Sequence, residues 1–316
     1  MIAGGALSGR FDLRVYDAAT GRLTKSRSFD NLITDNGLVR YCQPYGSNTF
    51  LQMQVCVGKG TAAPQPTDMS LGNYFASSSS GIMQGSNLVA PTEPDWVSSS
   101  RITLRFNVGT FNGDTISEIG VCQNNKPNNL WCRALILDEY GNPSSITILS
   151  NEYLDVTYTL NYHPDLTDTP FQFEMNGITY NCVARAALVN RQPFSTKGSN
   201  LFGPQLYITS VFNTQTLGAI TSEPPSETGG KLSVSDGVAG EKTYSAEAPY
   251  SYTNTFTIPF ALGNFHGDGI GAMTLRAFDS FGIWGYSQIS ITPKMPKDEN
   301  TQITFTLSRT ISRLST

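Results

Sequence analysis

Apolar residues recur at every second position along most of this chain. In Arg10–Asp17, Phe11, Leu13 and Val15 alternate with Asp12, Arg14 and Tyr16. In Arg101–Gly109, Ile102, Leu104, Phe106 and Val108 alternate with polar neighbours. A period of two belongs to strands, whose successive side chains point to opposite faces. Leu51–Gly60 reads as a strand running into a glycine-rich turn, and ISEIGVC, WCRALILD, SSITIL and LDVTYTLNY follow it. They are separated by the turn-forming stretches NNKPNN, EYGNP and SNEY. Short strands with turn signals at roughly 8–12-residue spacing mark a sandwich or barrel. No helical period extends beyond two turns, so the pattern predicts an all-β chain.

The pattern also repeats. TFNGD at Thr110–Asp114 has a counterpart in NFHGD at Asn264–Asp268, and Phe111 and Phe265 lie 154 residues apart. LDVTYTL (Leu154–Leu160) and TQITFTL (Thr301–Leu307) share a Thr-aromatic-Thr-Leu ending, with Leu160 and Leu307 147 residues apart. Upstream, LQMQVCVGKGTAAPQPTD and PQLYITSVFNTQTLGAITSEPP each run from a strand into a proline-marked loop. Three matches in one order predict an internal duplication: two tandem β-sandwich domains, residues 1–162 and 163–316. Asn161–Pro170 reads as the linker, since two prolines and several Asp and Thr interrupt the strand pattern there. Each domain carries an irregular stretch rich in Ser, Gly and Pro, at 63–100 and 222–252, of the length that usually serves an interface or a function.

Composition narrows the partners. Of the 316 residues only 15% are charged, against about 25% in a typical globular chain. Such a surface is common on soluble all-β proteins and equally suits a part that spends its life packed in an assembly, where charge is costly to desolvate. The net charge is −4 and no Lys/Arg run is present, which argues against nucleic acid. No apolar run reaches membrane-span length, and MIAGGALSGRFDLR lacks the regions of a secretory signal. Five cysteines at irregular spacing, without CxxC, do not form a disulfide framework. The expectation is synthesis in a reducing cytoplasm with free thiols. Cys122 and Cys132 lie symmetrically about Pro127 and so either face each other or sit as two reduced core thiols, the second being the commoner arrangement.

Candidate chemistry is sparse. The two histidines are His163, before a proline, and His266, in the NFHGD turn where the first repeat has Asn112. That interchange suits a turn residue better than a catalytic base. The paired carboxylates available for glycoside hydrolysis are Asp114 with Glu118 and Glu152 with Asp155, and all lie at turn edges. NGDT and HGDG lack the EF-hand pattern, and VGKGTAAP lacks the second Gly-Lys-Ser/Thr of a phosphate-binding loop. No catalytic residue, metal ligand or cofactor is predicted. Trp131 and Trp284 flank apolar strands, whereas Trp96 lies in the long loop. Trp96, Tyr74, Phe75, Tyr250 and Tyr252, in or beside the two long loops, are the predicted interface residues, and with them a host-surface glycan is a possible ligand.

Four segments of the first half form a recurring series: N-x-I-T-x-x-G-L at Asn31–Leu38, V-G-x-G-x-x-x-P-x-x-x-D-x-x-L at Val57–Leu71, SEIGV at Ser117–Val121, and D-x-x-G-x-P-x-S-I followed by E-x-L-D-V-x-Y at Asp138–Tyr158. This order, over Phe11–Tyr162, resembles structural proteins of tailed bacteriophages, of the tail, tail-fibre and minor virion kind. The resemblance implies a non-enzymatic part of a virion assembled in the host cytoplasm, partnered by other virion proteins and by copies of itself in rings or trimers. It points to the tail, collar or baseplate, where two domains would bridge tail components or anchor fibres. A capsid decoration or neck protein and a receptor- or glycan-binding adhesin are the alternatives. The family brings no active-site residues to transfer.

Overall fold

The computed structural model describes residues 2–43, 53–81, 96–123, 128–187, 205–225, 230–234, 237–265, 268–278 and 284–314. His266, Pro127 and residues 82–95 of the first long loop lie outside them, as does the side chain of Trp284. The described chain is mostly strand with one short helix.

The N-terminal half holds β1 (Ile2–Asp17), β2 (Leu23–Ile33), α1 (Asp35–Cys42), β3 (Met53–Gly58), β4 (Tyr74–Ser78), β5 (Ser98–Phe106), β6 (Asp114–Ile116), β7 (Glu118–Gln123), β8 (Cys132–Leu135), β9 (Ile146–Ile148) and β10 (Glu152–Pro164). Antiparallel pairing runs β4-β3-β7-β8-β2-β1-β10-β5. The two ends meet where Gly81 bridges Leu104 and Arg105 N donates to Ser80 O at 2.8 Å. Closing the ring removes the open sheet edges that would otherwise pair with other chains. The alternation seen in the sequence faces inward: Phe11, Leu13 and Val15 of β1 meet Leu104 and Phe106 of β5, Val55 and Val57 of β3, Ile119 and Val121 of β7, and Leu154, Val156 and Tyr158 of β10 in one buried core.

Helix α1 is a single amphipathic piece of 8 residues. Thr34 caps it by accepting from Gly37 N at 3.0 Å, while its own hydroxyl donates to Leu130 O at 2.8 Å. Gly37 is required by close approach, because a Cβ there would stand 2.1 Å from Trp131 O.

The C-terminal half holds β11 (Thr169–Met175), β12 (Ile178–Ala187), β13 (Gln205–Phe212), β14 (Lys231–Ser233), β15 (Val238–Tyr244), β16 (Ser251–Ile258), β17 (Ile270–Phe278), β18 (Trp284–Met295) and β19 (Ile303–Arg313). Six of these form a sheet in the order β14-β13-β17-β18-β12-β11. Strands β15, β16 and β19 form a second layer, with β13 lying against β16 and β19, which makes a sandwich. Asn176 and Gly177, with φ of 54° and 74°, make the tight turn between β11 and β12.

The six-stranded order repeats the first half's β4-β3-β7-β8-β2-β1 strand for strand. The registers correspond as well. Ile102 pairs with Tyr158 between β5 and β10, and Phe256 pairs with Phe305 between β16 and β19. These positions are related by the 154- and 147-residue offsets of the sequence repeats. Phe111 and Phe265 are both buried, and each turn aspartate is held by a lysine, Asp114 at 2.8 Å by Lys59 after β3 and Asp268 at 2.7 Å by Lys294 of β18, two elements that do not correspond in strand order.

The halves are joined through β19, which runs parallel to the first residues of β1. The position between residues 162 and 163 falls inside β10, whose last residues pair with Gly5 and Ala6 of β1. At this seam Arg309 is buried, its guanidinium carbon 4.8 Å from the ring centroid of Tyr162, whose hydroxyl accepts a bond from Nη2.

The expectation of five free thiols is corrected. Cys56 and Cys122 form a disulfide, while Cys42, Cys132 and Cys182 are free and buried. Cys122 and Cys132 do not face each other because the β7–β8 register pairs Val121 with Cys132. That one-residue offset sends the two cysteine side chains to opposite faces of the sheet.

Candidate functional site

The outer face of β3, β7 and β8 is covered by residues 59–73, the stretch between β3 and β4. Beneath it lies the most elaborate polar arrangement of the described chain, centred on Glu118, which is fully buried. Its Oε1 accepts from Gly60 N at 2.8 Å and Asn73 N at 2.7 Å. Its Oε2 accepts from Gly72 N at 2.9 Å and from Arg133 Nε and Nη2 at 3.0 and 2.8 Å. Arg133, also buried, reaches Asp68 through Nη1 at 2.7 Å and Ala62 O through Nη2 at 3.0 Å. One carboxylate and one guanidinium thus gather both ends and the middle of the covering segment.

Local sequence explains the placement. In EIGVC, Ile119 and Val121 face the core, so Glu118, Gly120 and Cys122 face outward beneath the cover. In CRAL, Cys132 and Ala134 face the core and Arg133 faces outward, diagonal to Glu118 across the β7–β8 ladder. Gly58 and Gly60 leave room for the carboxylate, since a Cβ on either would stand 2.5 or 2.4 Å from Glu118 Oε1. Burial alone would raise the Glu118 pKa, but three backbone N–H groups and Arg133 outweigh it and hold the carboxyl below its ordinary value. A buried pair with all its bonds made is costly to break, at about 3–5 kcal/mol.

Beside the node, Lys59 Nζ lies 4.4 Å from the Phe75 ring centroid, and Phe75 stacks on Phe111 with centroids 5.7 Å apart. Beneath the node, the Cys56–Cys122 bond packs with Leu71 of the cover and Leu130. In the C-terminal half residues 213–223 cross the matching outer face. There Gln288 accepts from Gly218 N at 2.7 Å and donates to Gly218 O and Ala219 O at 3.0 and 3.1 Å, and Arg185 Nη1 also donates to Gly218 O at 3.0 Å.

The carboxylates considered as acid–base pairs each have an internal partner. Asp114 is bound by Lys59 and Glu118 by Arg133. Glu152 is held by Lys25, Thr24 and Leu149 N. Asp155 takes both ends of the Arg105 guanidinium at 2.6 and 2.8 Å. His163 bonds Ser8 at 2.9 Å on the outer face of β10.

The predicted interface residues scatter. Tyr74 is exposed and Phe75 half-buried on neighbouring positions of β4. Trp96 is buried with φ of 52°, a left-handed backbone that is rare for a bulky residue. Tyr250 and Tyr252 sit at the seam between the halves, Tyr252 buried beside Arg309 and Tyr250 half-buried beside Asp35 and Arg313. The structure therefore places Tyr250 and Tyr252 at one seam, sends Tyr74 and Phe75 to opposite faces of β4, and does not gather all five into one surface.

The sequence reading missed Arg133 as the partner of Glu118. The available signal was a lone charge inside each of two apolar strands, EIGVC and WCRALIL. No known protein family, curated protein or solved structure matches the chain.

Proposed function

We propose that this chain is a non-enzymatic structural part of a tailed-bacteriophage particle, in the tail, collar or baseplate, bridging tail components or anchoring fibres. One observation carries the reading. The residues behind the phage-like motifs are engaged in holding the fold and its loops. Thr34 and Gly37 of the first motif fasten α1 to the turn before β8, while in the second Gly58 and Gly60 lie against the Glu118 of the third, Asp68 holds its partner Arg133, and Leu71 covers the Cys56–Cys122 bond. In the fourth, Asp138 accepts from Tyr140 N and Asn142 N to close its turn, and Glu152 ties β10 to β2. Motifs spent on anchoring loops describe a scaffold, and scaffolds are what the resembled proteins supply.

We further propose that the two halves arose by tandem duplication, supported by the shared strand order, the matching β5–β10 and β16–β19 registers and the buried Phe111 and Phe265 of the two turns. Two related units joined side by side suit a bridging part, because each can dock a different neighbour.

The test is composition. Particles purified on a density gradient should yield this chain at a fixed ratio to the known tail proteins by quantitative mass spectrometry. A chain confined to the soluble lysate would sink the proposal. A chain that co-purifies with tailless heads would move it to the capsid surface or neck.

A further inference from the structure

We infer that residues 59–73 form a redox-gated strap, in which the Cys56–Cys122 bond beneath the segment and the docked position of the segment are one coupled switch. The inference does not depend on a place in a virion.

Both cysteine side chains are fully buried, and their cover is specific: Leu71 from the strap and Leu130 from the turn before β8. The strap and that turn are themselves linked, Leu130 N donating to Met69 O at 3.2 Å. Next to Leu71, Gly72 N and Asn73 N are two of the donors to Glu118. The space is tight. A Cβ on Gly120, which pairs with Cys56 across β3 and β7, would stand 2.7 Å from Cys132 O, 2.8 Å from a Leu130 methyl and 3.4 Å from a Leu71 methyl.

Reduction by a small dithiol transfers two electrons and two protons to the pair. The sulfur–sulfur bond breaks, two thiols form, and the reductant leaves as its cyclic disulfide. Two thiols cannot approach as closely as two bonded sulfurs. Leu71 and Leu130 are the buried apolar side chains that pack on the two cysteines, so separation of the sulfurs presses on Leu71 and strains the neighbouring bonds to Glu118. Linkage makes the coupling reciprocal: whatever loosens the strap also admits the reductant. The C-terminal half supplies an internal reference, since residues 213–223 are held by Gln288 with no disulfide beneath them.

Hydrogen exchange read by mass spectrometry on the full chain tests the coupling. Dithiothreitol should speed exchange several-fold in the peptide spanning 59–73 and leave peptides from β1 and from 213–223 unchanged. In a second arm, Asp68→Asn removes the charge by which the strap holds Arg133 and leaves both cysteines in place. It should speed reduction of the Cys56–Cys122 bond several-fold, scored by iodoacetamide labelling of the released thiols. The double variant Cys56→Ser/Cys122→Ser should show the fast strap exchange without reductant. The inference is overturned if strap exchange is indifferent to reduction, if exchange rises equally in β1 and 213–223, if Asp68→Asn reduces at the wild-type rate, or if no linked 56–122 peptide is found in the oxidised protein.

Discussion

Replacing Glu118 by Gln keeps the shape of the side chain and removes its charge. The carboxylate accepts five hydrogen bonds, two at Oε1 and three at Oε2. An amide offers one acceptor oxygen and one donor nitrogen. If the nitrogen takes the Oε1 position, it confronts Gly60 N and Asn73 N. If it takes the Oε2 position, it confronts Gly72 N and both Arg133 donors. At least two buried donors are therefore left facing a donor, at about 1–3 kcal/mol each. The independent figure for removing one partner of a buried ion pair is about 3–5 kcal/mol, which falls inside that range. Asp68 remains on Arg133 and limits the loss, so the expected destabilisation is about 3–4 kcal/mol. Guanidinium unfolding of wild type, Glu118→Gln, Arg133→Met and the double variant reads it as a thermodynamic cycle. The double variant should be less destabilised than the two single losses summed, because neither partner is left alone. A Glu118→Gln cost below about 1 kcal/mol, the level of an exposed pair, would refute the buried-node reasoning.

Other outcomes follow from the same geometry. The carboxyls of Glu118, Glu152 and Asp114 are held below their ordinary values in the folded chain, so their contribution is present above the ordinary carboxylate range and is lost as pH falls through their lowered values. Thermal melts should therefore be flat from neutrality to about pH 5 and fall steeply below about pH 4, and a flat profile to pH 3 would count against it. Gly37→Ala should destabilise by about 1–3 kcal/mol through overpacking against Trp131 O, measured by the same unfolding assay, and an unchanged midpoint would contradict the close approach. Cys42 and Cys132, whose thiols burial pushes up to about 12, should resist iodoacetamide at pH 8 in the native protein and react on denaturation.

The strands were legible because period-two alternation is a local signal. Ile102, Leu104 and Phe106 name both the strand β5 and its inward face, and the Thr-aromatic-Thr-Leu endings each lie in a strand, β10 and β19. Helix α1 was not separated from the loops, since its pattern lasts little more than two turns and contains Gly37. The Glu118 node was hidden for a different reason. On an outward-facing strand position a glutamate reads as solvated, and only the long-range placement of residues 59–73 buries it. The disulfide needed register: Gln54 pairs with Cys122 and Cys56 with Gly120, which puts the two sulfurs on one diagonal across β3 and β7. Symmetry about Pro127 offered Cys132 only as the alternative to two reduced core thiols; Cys132 is such a free thiol, and Cys122 is not. Burial of the aromatics is likewise a long-range property, for a sequence does not say that Trp96 and Tyr252 turn inward.

The central claim is that this chain is a scaffold part of a phage tail, and cryo-electron microscopy of intact particles tests it most directly. The account predicts density for two side-by-side all-β units in a ring or at fibre bases on the tail, each unit touching a different neighbour. Density on the capsid lattice would contradict the tail position, and particles without any such density would contradict the virion role altogether.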